Sequence, residues 1–248
     1  MQIIWDRCHF HNLEIFKLFS LQKINMQNET DEIDESMITA TMDNDLEGMK
    51  NAIKLGVDVN IQNFFGKTAL HYIESIEAAQ LLIDNGADPN IVDYNNRPPI
   101  FDVNDPELAI FLTDHGADAK FQDKDGLTAL YIWVDFPKVV KCLLAAGASP
   151  NVQLETGSMI IKKGNTALHK VESLESAQLL IENGANITIK NIERATPDQT
   201  TKGETQRYLK SVREQNSLLP ADAQKKFTES VPDNTDKRLT GDTTVYHS

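Results

Sequence analysis

The sequence predicts an all-α protein built as a stack of short helix-turn-helix units, and three observations support this. Residues 66–88 (GKTALHYIESIEAAQLLIDNGAD) recur as residues 164–186 (GNTALHKVESLESAQLLIENGAN), with 16 of the 23 aligned positions identical. Glycines of the same type recur 30, 30, 31 and 37 residues apart, at Gly56, Gly86, Gly116, Gly147 and Gly184. Helices of about ten residues or fewer are marginal alone in water, so each unit must bury its apolar face against its neighbours.

Each element of the unit has a local cause in the sequence. Thr68 is a polar residue at the start of a short apolar helix, where its hydroxyl can accept a backbone N–H. A second helix is predicted after Ser75, with the carboxylate of Glu77 near the positive end of the helix dipole. It ends at Asn85 and Gly86, because glycine takes the left-handed C-cap conformation most readily.

The recurring motifs Gly-x-Thr-Ala-Leu-His and Leu-Leu-Ile-x-Asn-Gly-Ala-Asp-x-Asn resemble the ankyrin repeat family. The resemblance implies a solenoid of stacked helix-turn-helix units with projecting β-hairpin fingers, about five to six repeats plus caps. The usual ankyrin period is 33 residues. Here Ile73-Glu74-Ser75 replaces a longer turn between the two helices, so a short first helix is expected.

Four regions are predicted along the chain. Residues 1–33 comprise a degenerate N-terminal half-repeat from Trp5 to Asn28, with a membrane-surface helix as the alternative, and the start of an acidic linker that runs from Thr30 to Glu35. Residues 34–198 form the repeat domain. Residues 199–216 form a charged helix that caps the open end of the core with Tyr208, Leu209 and Val212. Residues 217–248 form a disordered tail, because apolar residues become sparse after Pro220.

Two repeats depart from the common motif. In the repeat that starts at Tyr94, the motif Lys67-Thr68-Ala69-Leu70-His71 is replaced by Arg97-Pro98-Pro99-Ile100-Phe101. Proline is tolerated there because it falls in a first helical turn. Tyr131 replaces the histidine in the following repeat. Seven additional residues precede Gly184, and they fall around residues 154–163, where the resemblance implies one enlarged finger.

The repeats carry the acidity of the chain. The 248 residues have a net charge of −13, and residues 29–198 alone hold 28 Asp or Glu against 13 Lys or Arg. Such a field favours a basic protein partner and disfavours nucleic acid and anionic membranes. Two cysteines, Cys8 and Cys142, predict a reducing compartment, hence a cytoplasmic protein of the source cell or, for a delivered effector, of a host cell. Without an apolar run of membrane-spanning length, we expect no membrane insertion, and we expect a monomer.

Catalysis is not expected from this sequence. His71 and His169 occupy the same repeat position, which Phe101 and Tyr131 fill elsewhere, and the resemblance implies that these rings form hydrogen bonds within and between hairpins. Cys142 is expected to be a small core residue on an apolar helix face. We find no phosphate-binding loop, metal-spaced Cys/His set or nucleophile motif, and therefore predict no enzyme, no cofactor and no metal.

The resemblance implies a protein-binding module that uses its concave face and its fingers. The role could be that of an adaptor or effector, of an inhibitor or immunity-type protein that neutralises a basic toxin or enzyme, or of a structural spacer. Residues at the finger tips vary while the frame stays constant, so the predicted partner contacts are Phe64, Phe65, Lys67, Tyr94, Asn95, Arg97, Lys124, Asp125, Leu127, Met159, Ile160, Ile161, Lys162 and Lys163.

Overall fold

The computed structural model describes residues 29–156 and 162–218, and every regular element within them is a helix. The helices form six units, numbered 1 to 6, each of which has a first and a second helix. The pairs are α1 (Glu29–Met42) with α2 (Leu46–Lys54), a 3₁₀ helix (Ala69–Tyr72) with α3 (Ile76–Asp84), a 3₁₀ helix (Pro99–Phe101) with α4 (Pro106–Asp114), α5 (Ala129–Ile132) with α6 (Pro137–Ala145), α7 (Ala167–Lys170) with α8 (Leu174–Glu182), and α9 (Pro197–Thr200) with α10 (Gly203–Ser217). The predicted all-α stack of helix-turn-helix units is confirmed.

Two columns of leucine-type side chains run through the stack and form its core. The first helices of units 2 to 5 contribute one column and the second helices contribute the other. All eight side chains are at most 1% exposed: Leu70, Ile100, Leu130 and Leu168, then Leu82, Leu112, Leu143 and Leu180. Each unit buries these residues against the units before and after it, which is why the short helices are stable in this protein.

The second helices begin and end where the sequence predicted. Ser75 and Ser173 are the N-caps of α3 and α8, and each hydroxyl accepts the N–H of the residue three positions later, at 3.3 Å. At the other end, Gly86 has φ +88° and Gly184 has φ +84°, the left-handed conformation expected of a C-cap glycine.

Unit 1 differs from the prediction at its start. The acidic segment from Thr30 to Glu35 was expected to be a linker, but it is helical and belongs to α1, which begins at Glu29. Carboxylates are favourable in the first turns of a helix because they face the positive end of its dipole. The cluster of acidic residues that suggested a linker therefore also suits a helix N-terminus.

The first helices of units 2 to 6 are three or four residues long, as the shortened period predicted. Five connections that we call fingers join the units: residues 61–67, 91–97, 121–127, 152–165 and 189–195. No strand occurs in the described residues of these fingers. In all but the fourth, a single short turn closes the finger and leaves no room for a β-ladder. In the first finger, for example, the N–H of Asn63 donates to the carbonyl of Lys67 at 3.0 Å.

A 15-residue helix, α10, covers the end of the stack. Leu209 is fully buried beneath it, and Tyr208 and Val212 pack against the core. Arg213 extends back to the buried carboxylate of Asp198, at 3.0 Å, and thereby attaches the helix to α9. In the described parts of the chain, no helix has the length and apolar character required to cross a membrane.

Three sequence-based predictions concern residues outside the described ranges. They are the half-repeat in residues 1–28, the apolar tip of the enlarged finger at Met159, Ile160 and Ile161, and the tail in residues 219–248.

Candidate functional site

The fingers form a row along one edge of the stack, and a buried Asn or Asp organises four of the five. The Oδ1 atom of Asn63 accepts the N–H groups of Phe65 and Lys67, at 3.0 and 3.1 Å. Asp93, Asp123 and Asn191 do the same in the second, third and fifth fingers. The side chain thus adds to the backbone pairing inside each turn, and the tip residues are held in a defined position.

The first two fingers carry a continuous apolar surface. Phe64 is 51% exposed and Tyr94 is 76% exposed, while Phe65 is half-buried. The Phe64 and Phe65 rings pack together with centroids 3.9 Å apart. The Tyr94 ring lies against Gly66, where a Cβ would stand only 2.5 Å from its Cδ1 atom. The N–H of Tyr94 also donates to the carbonyl of Phe65 at 3.1 Å, which joins the two fingers. These three aromatic side chains, Phe64, Phe65 and Tyr94, are called the aromatic tip below.

Two predicted cationic contacts form ion pairs within the chain. Lys67 is half-buried, with its Nζ atom 2.8 Å from Oδ2 of Asp102 and 5.5 Å from the centre of the Tyr72 ring. Arg97 is more exposed, and its Nε atom lies 3.8 Å from the buried carboxylate of Asp123. Both side chains therefore stabilise the frame. The Lys67 charge is already neutralised by Asp102, which makes it a weaker candidate for a partner contact than the sequence suggested.

The remaining predicted contacts lie on the second, third and fourth fingers. Lys124 and Lys163 are exposed, as is Asn95 on the second finger, whereas Leu127 is half-buried. The carboxylate of Asp125 accepts the Thr156 hydroxyl at 2.8 Å. Lys162 pairs with Glu193 of the fifth finger.

The fourth finger lacks the Asn or Asp found in the others. Leu154 occupies that position and is buried, with its carbonyl accepting the N–H of Gly164 at 2.8 Å. Backbone hydrogen bonds of Leu154 to Gly164 and Asn165 thus join the two described ends of this finger. The sequence motifs above did not identify the finger turns, although the recurrence of Asn or Asp at 63, 93, 123 and 191 is a signal that could have revealed them.

The two repeated histidines belong to the frame, as the resemblance implied. Nδ1 of His71 accepts the N–H of Thr68 at 3.0 Å, so its Nε2 atom carries the proton and donates to the carbonyl of Arg97 at 3.0 Å. His169 makes the equivalent bonds to Thr166 and Ala195, at 3.1 Å each. Burial lowers the pKa of both histidines. Each ring therefore connects its unit to the base of the following finger in its neutral form.

Lys170 is a charged residue that the sequence motifs did not single out. Its ammonium group donates to the carbonyls of Tyr131 and Ile132, at 2.9 and 3.0 Å, and burial lowers its pKa. It also lines a groove of about 430 Å³ between units 5 and 6, together with Glu172, Lys202 and Glu204. The hydrogen bonds to unit 4 show that Lys170 connects neighbouring units.

Cys142 corrects another prediction. It is not a core residue but a partly exposed one, and its Sγ atom lies 3.4 Å from the carboxylate of Asp114. Burial, together with this hydrogen bond, raises the pKa of the thiol to about 11, so the thiolate is disfavoured. The leucines that follow Cys142 wrongly suggested that it shared their buried face. Across the described ranges, no three His, Cys, Asp or Glu side chains converge in the manner of metal ligands.

Comparison with known families agrees with this architecture. Residues 65–94 match a family model described as ankyrin repeat, and residues 100–191 match one described as ankyrin repeats in three copies. No curated protein matches the chain. The two matched segments contain both histidine positions, both leucine columns of units 2 to 5, and the whole of the third and fourth fingers.

Proposed function

Since this chain belongs to the ankyrin repeat family, whose repeats generally mediate protein–protein interaction, we propose that it is a non-catalytic adaptor or effector that holds a protein partner on its fingers and concave face. The proposal includes the cytoplasmic location expected from the sparse use of cysteine.

The observation that carries the proposal is the aromatic tip. Phe64 and Tyr94 expose large apolar surfaces on adjacent fingers, outside the two leucine columns that form the core. Exposed apolar surface reduces solubility unless another molecule covers it. Aromatic anchors buried in an interface typically contribute about 2 kcal/mol or more each.

The acidity of the repeats favours a second candidate function. Positions 29–198 hold 28 acidic residues against 13 basic ones. An inhibitor or immunity-type protein would use this acidic excess to attract the basic toxin or enzyme that it neutralises. The two candidates differ in what the partner does once it is bound. An adaptor leaves its partner active, whereas an inhibitor abolishes the activity of its partner at equimolar concentration. A structural spacer would bind neither kind of partner.

The test compares the wild-type chain with the variant Phe64→Ser, Phe65→Ser. Proteins retained from a source-cell lysate by the immobilised wild type are identified, purified and titrated directly against both forms. We expect the double substitution to weaken binding at least about thirtyfold, which corresponds to the loss of about 2 kcal/mol. The melting temperature should be nearly unchanged because both rings lie at a tip.

Leu55→Ser is the matched control. Leu55 is 73% exposed at the end of α2 and lies outside the fingers, so its replacement should leave affinity unaltered. Unchanged affinity of the double variant would remove the finger tips from the binding surface. A lowered melting temperature with normal affinity would show that the two rings serve the frame.

A further inference from the structure

Charge is separated between the fingers and the rest of the repeats. The five finger segments hold seven Lys or Arg against five Asp or Glu. The other residues between positions 29 and 198 hold six Lys or Arg against 23 Asp or Glu. The finger edge is therefore the one part of the repeats without an acidic excess, even though the chain as a whole is strongly acidic.

Folding of the fingers increases this separation. Asp93 is 4% exposed and Asp123 is 7% exposed, and the Oδ1 atom of each accepts two backbone N–H groups inside its own turn. The Asp123 carboxylate also faces Arg97. A molecule that approaches the first two fingers thus meets aromatic rings and amides before it meets a carboxylate.

A row of carboxylates lies at the other end of the first helices. Each of units 1 to 5 has at least one acidic residue in the turn between its two helices, and Asp45 and Asp102 add a second in units 1 and 3. We call the following set, one residue from each turn, the acidic row: Asp43, Glu74, Asp105, Asp135 and Glu172. Direct bonds show that neighbouring turns are adjacent. The Ser75 hydroxyl donates to the side chain of Asn44 at 2.7 Å, and the N–H of Glu172 donates to Asp135 at 2.6 Å. Within the row, Asp43, Glu74, Asp105 and Glu172 are exposed.

In units 2 to 5 the acidic row lies close to the fingers because the first helices of these units are so short. A helix of four residues is about 6–8 Å long. The ion pair between Lys67, at the end of the first finger, and Asp102, at the end of a first helix, shows that one side chain can cover the distance. A single extended segment or helix of a partner can therefore contact the aromatic tip and the acidic row together.

From this arrangement, and resting on the proposed function, we propose that the partner's contact segment is amphipathic and basic. Its aromatic or large aliphatic side chains pack against the aromatic tip, and its Lys or Arg side chains face the exposed carboxylates of the acidic row. The apolar contacts provide most of the affinity, since exposed ion pairs are individually weak. The carboxylates select against acidic partners and accelerate association.

In the experiment, a displayed library of random 16-residue peptides is selected for binding to the full chain. The composition of the selected peptides then shows which side chains the surface prefers. We expect the selected peptides to combine aromatic or large aliphatic residues with an excess of Lys and Arg. The strongest peptide is then synthesised in two forms, one unchanged and one with every Lys and Arg replaced by Gln. The unchanged form should bind more tightly, and its advantage should shrink as the salt concentration rises from about 0.05 to about 0.5 M, the range over which exposed charges become screened.

Two variants of the protein assign the two parts of the surface. Phe64→Ser with Tyr94→Ser should weaken binding of the unchanged peptide at least about tenfold at every salt concentration. Glu74→Gln with Glu172→Gln should weaken it about two- to tenfold at low salt and have little effect at high salt. Thermal melting of all variants serves as the control for folding.

The outcomes separate this inference from the function on which it rests. Selection of acidic or uncharged peptides that still require Phe64 and Tyr94 would overturn the basic amphipathic partner and leave a protein-binding finger edge in place. Selection of peptides that bind both aromatic variants normally would overturn the use of the aromatic tip. Failure to select any peptide would count against the binding function as well as this inference.

Discussion

Units 2 and 5 close their contacts with the next unit differently from unit 3. In units 2 and 5 a buried histidine donates to a carbonyl at the base of the following finger. In unit 3 the same position holds Phe101, whose ring packs edge-on against Phe121 with centroids 6.0 Å apart. The indole of Trp133 in unit 4 adds a bond to the carbonyl of Ile100, at 3.1 Å. A polar bridge and aromatic packing are thus alternative means of joining units within one stack.

A second set of bonds between units is also interrupted in the middle of the stack. Asn60, Asn90 and Asn151 each donate to the carbonyl of the C-cap glycine of the following unit, at 2.9 to 3.0 Å. Lys120 stands at the corresponding position in unit 3, and its chain lies against Gly147. The junction between units 3 and 4 therefore lacks the histidine bridge and the asparagine bond, and depends more heavily on apolar contacts.

The largest expected effect tests what all units share. Leu168→Ala and Leu130→Ala each remove a side chain that is at most 1% exposed, one from a histidine unit and one from a tyrosine unit. Each should lower the free energy of unfolding by about 2–5 kcal/mol through lost burial and the resulting cavity. Chemical denaturation measures both. A loss below about 1 kcal/mol at Leu168 would show that the assignment of its column is wrong.

An effect of intermediate size is expected on the pH dependence of stability, which should distinguish the histidine junctions from the junctions with an aromatic residue at that position. The pKa of His71 and of His169 is lowered in the folded protein, whereas an unfolded histidine has a pKa of about 6.5. As the pH falls below about 6.5, the unfolded chain takes up protons that the folded chain does not, so the histidine contribution to stability decreases. Above that pH the contribution is fully present.

The variant His71→Phe with His169→Tyr copies the side chains of the middle units and isolates this contribution. The difference in unfolding free energy between wild type and variant should be constant above about pH 7 and should change in favour of the variant between about pH 6.5 and 5. Denaturation curves at several pH values give this difference, and carboxylates common to both proteins cancel. A difference that is independent of pH would mean that the rings are protonated equally in both states.

The smallest expected effect sharpens the comparison at the middle junction. Lys120→Asn should restore the bond to the carbonyl of Gly147 and raise the free energy of unfolding by about 0.5–1.5 kcal/mol. Lys120→Gln is the matched control, because it removes the charge without the geometry of asparagine. Equal stabilisation by both substitutions would show that the lysine charge, and not the absent bond, weakens this junction.

Much of the frame could be predicted from local residues. Ser75 and Gly86 define the ends of α3, and the apolar periodicity around Leu82 identifies the buried face, because capping and burial depend on residues within a few positions. The exposure of the predicted contact residues could be foreseen only in part. Phe64 and Tyr94 are exposed as expected, but Lys67 is held by Asp102, which lies 35 positions later in the sequence.

The sequence by itself determined the repeat, its period, the helix ends and the family, because each of these depends on short motifs that recur in register. Only the tertiary structure decided which side chains are available to a partner. It placed the Tyr94 ring against Gly66, paired Arg97 with the buried carboxylate of Asp123, and turned Cys142 towards Asp114. The physical reason is that exposure depends on contacts between neighbouring units, and those contacts join residues that lie about one repeat period apart in the sequence.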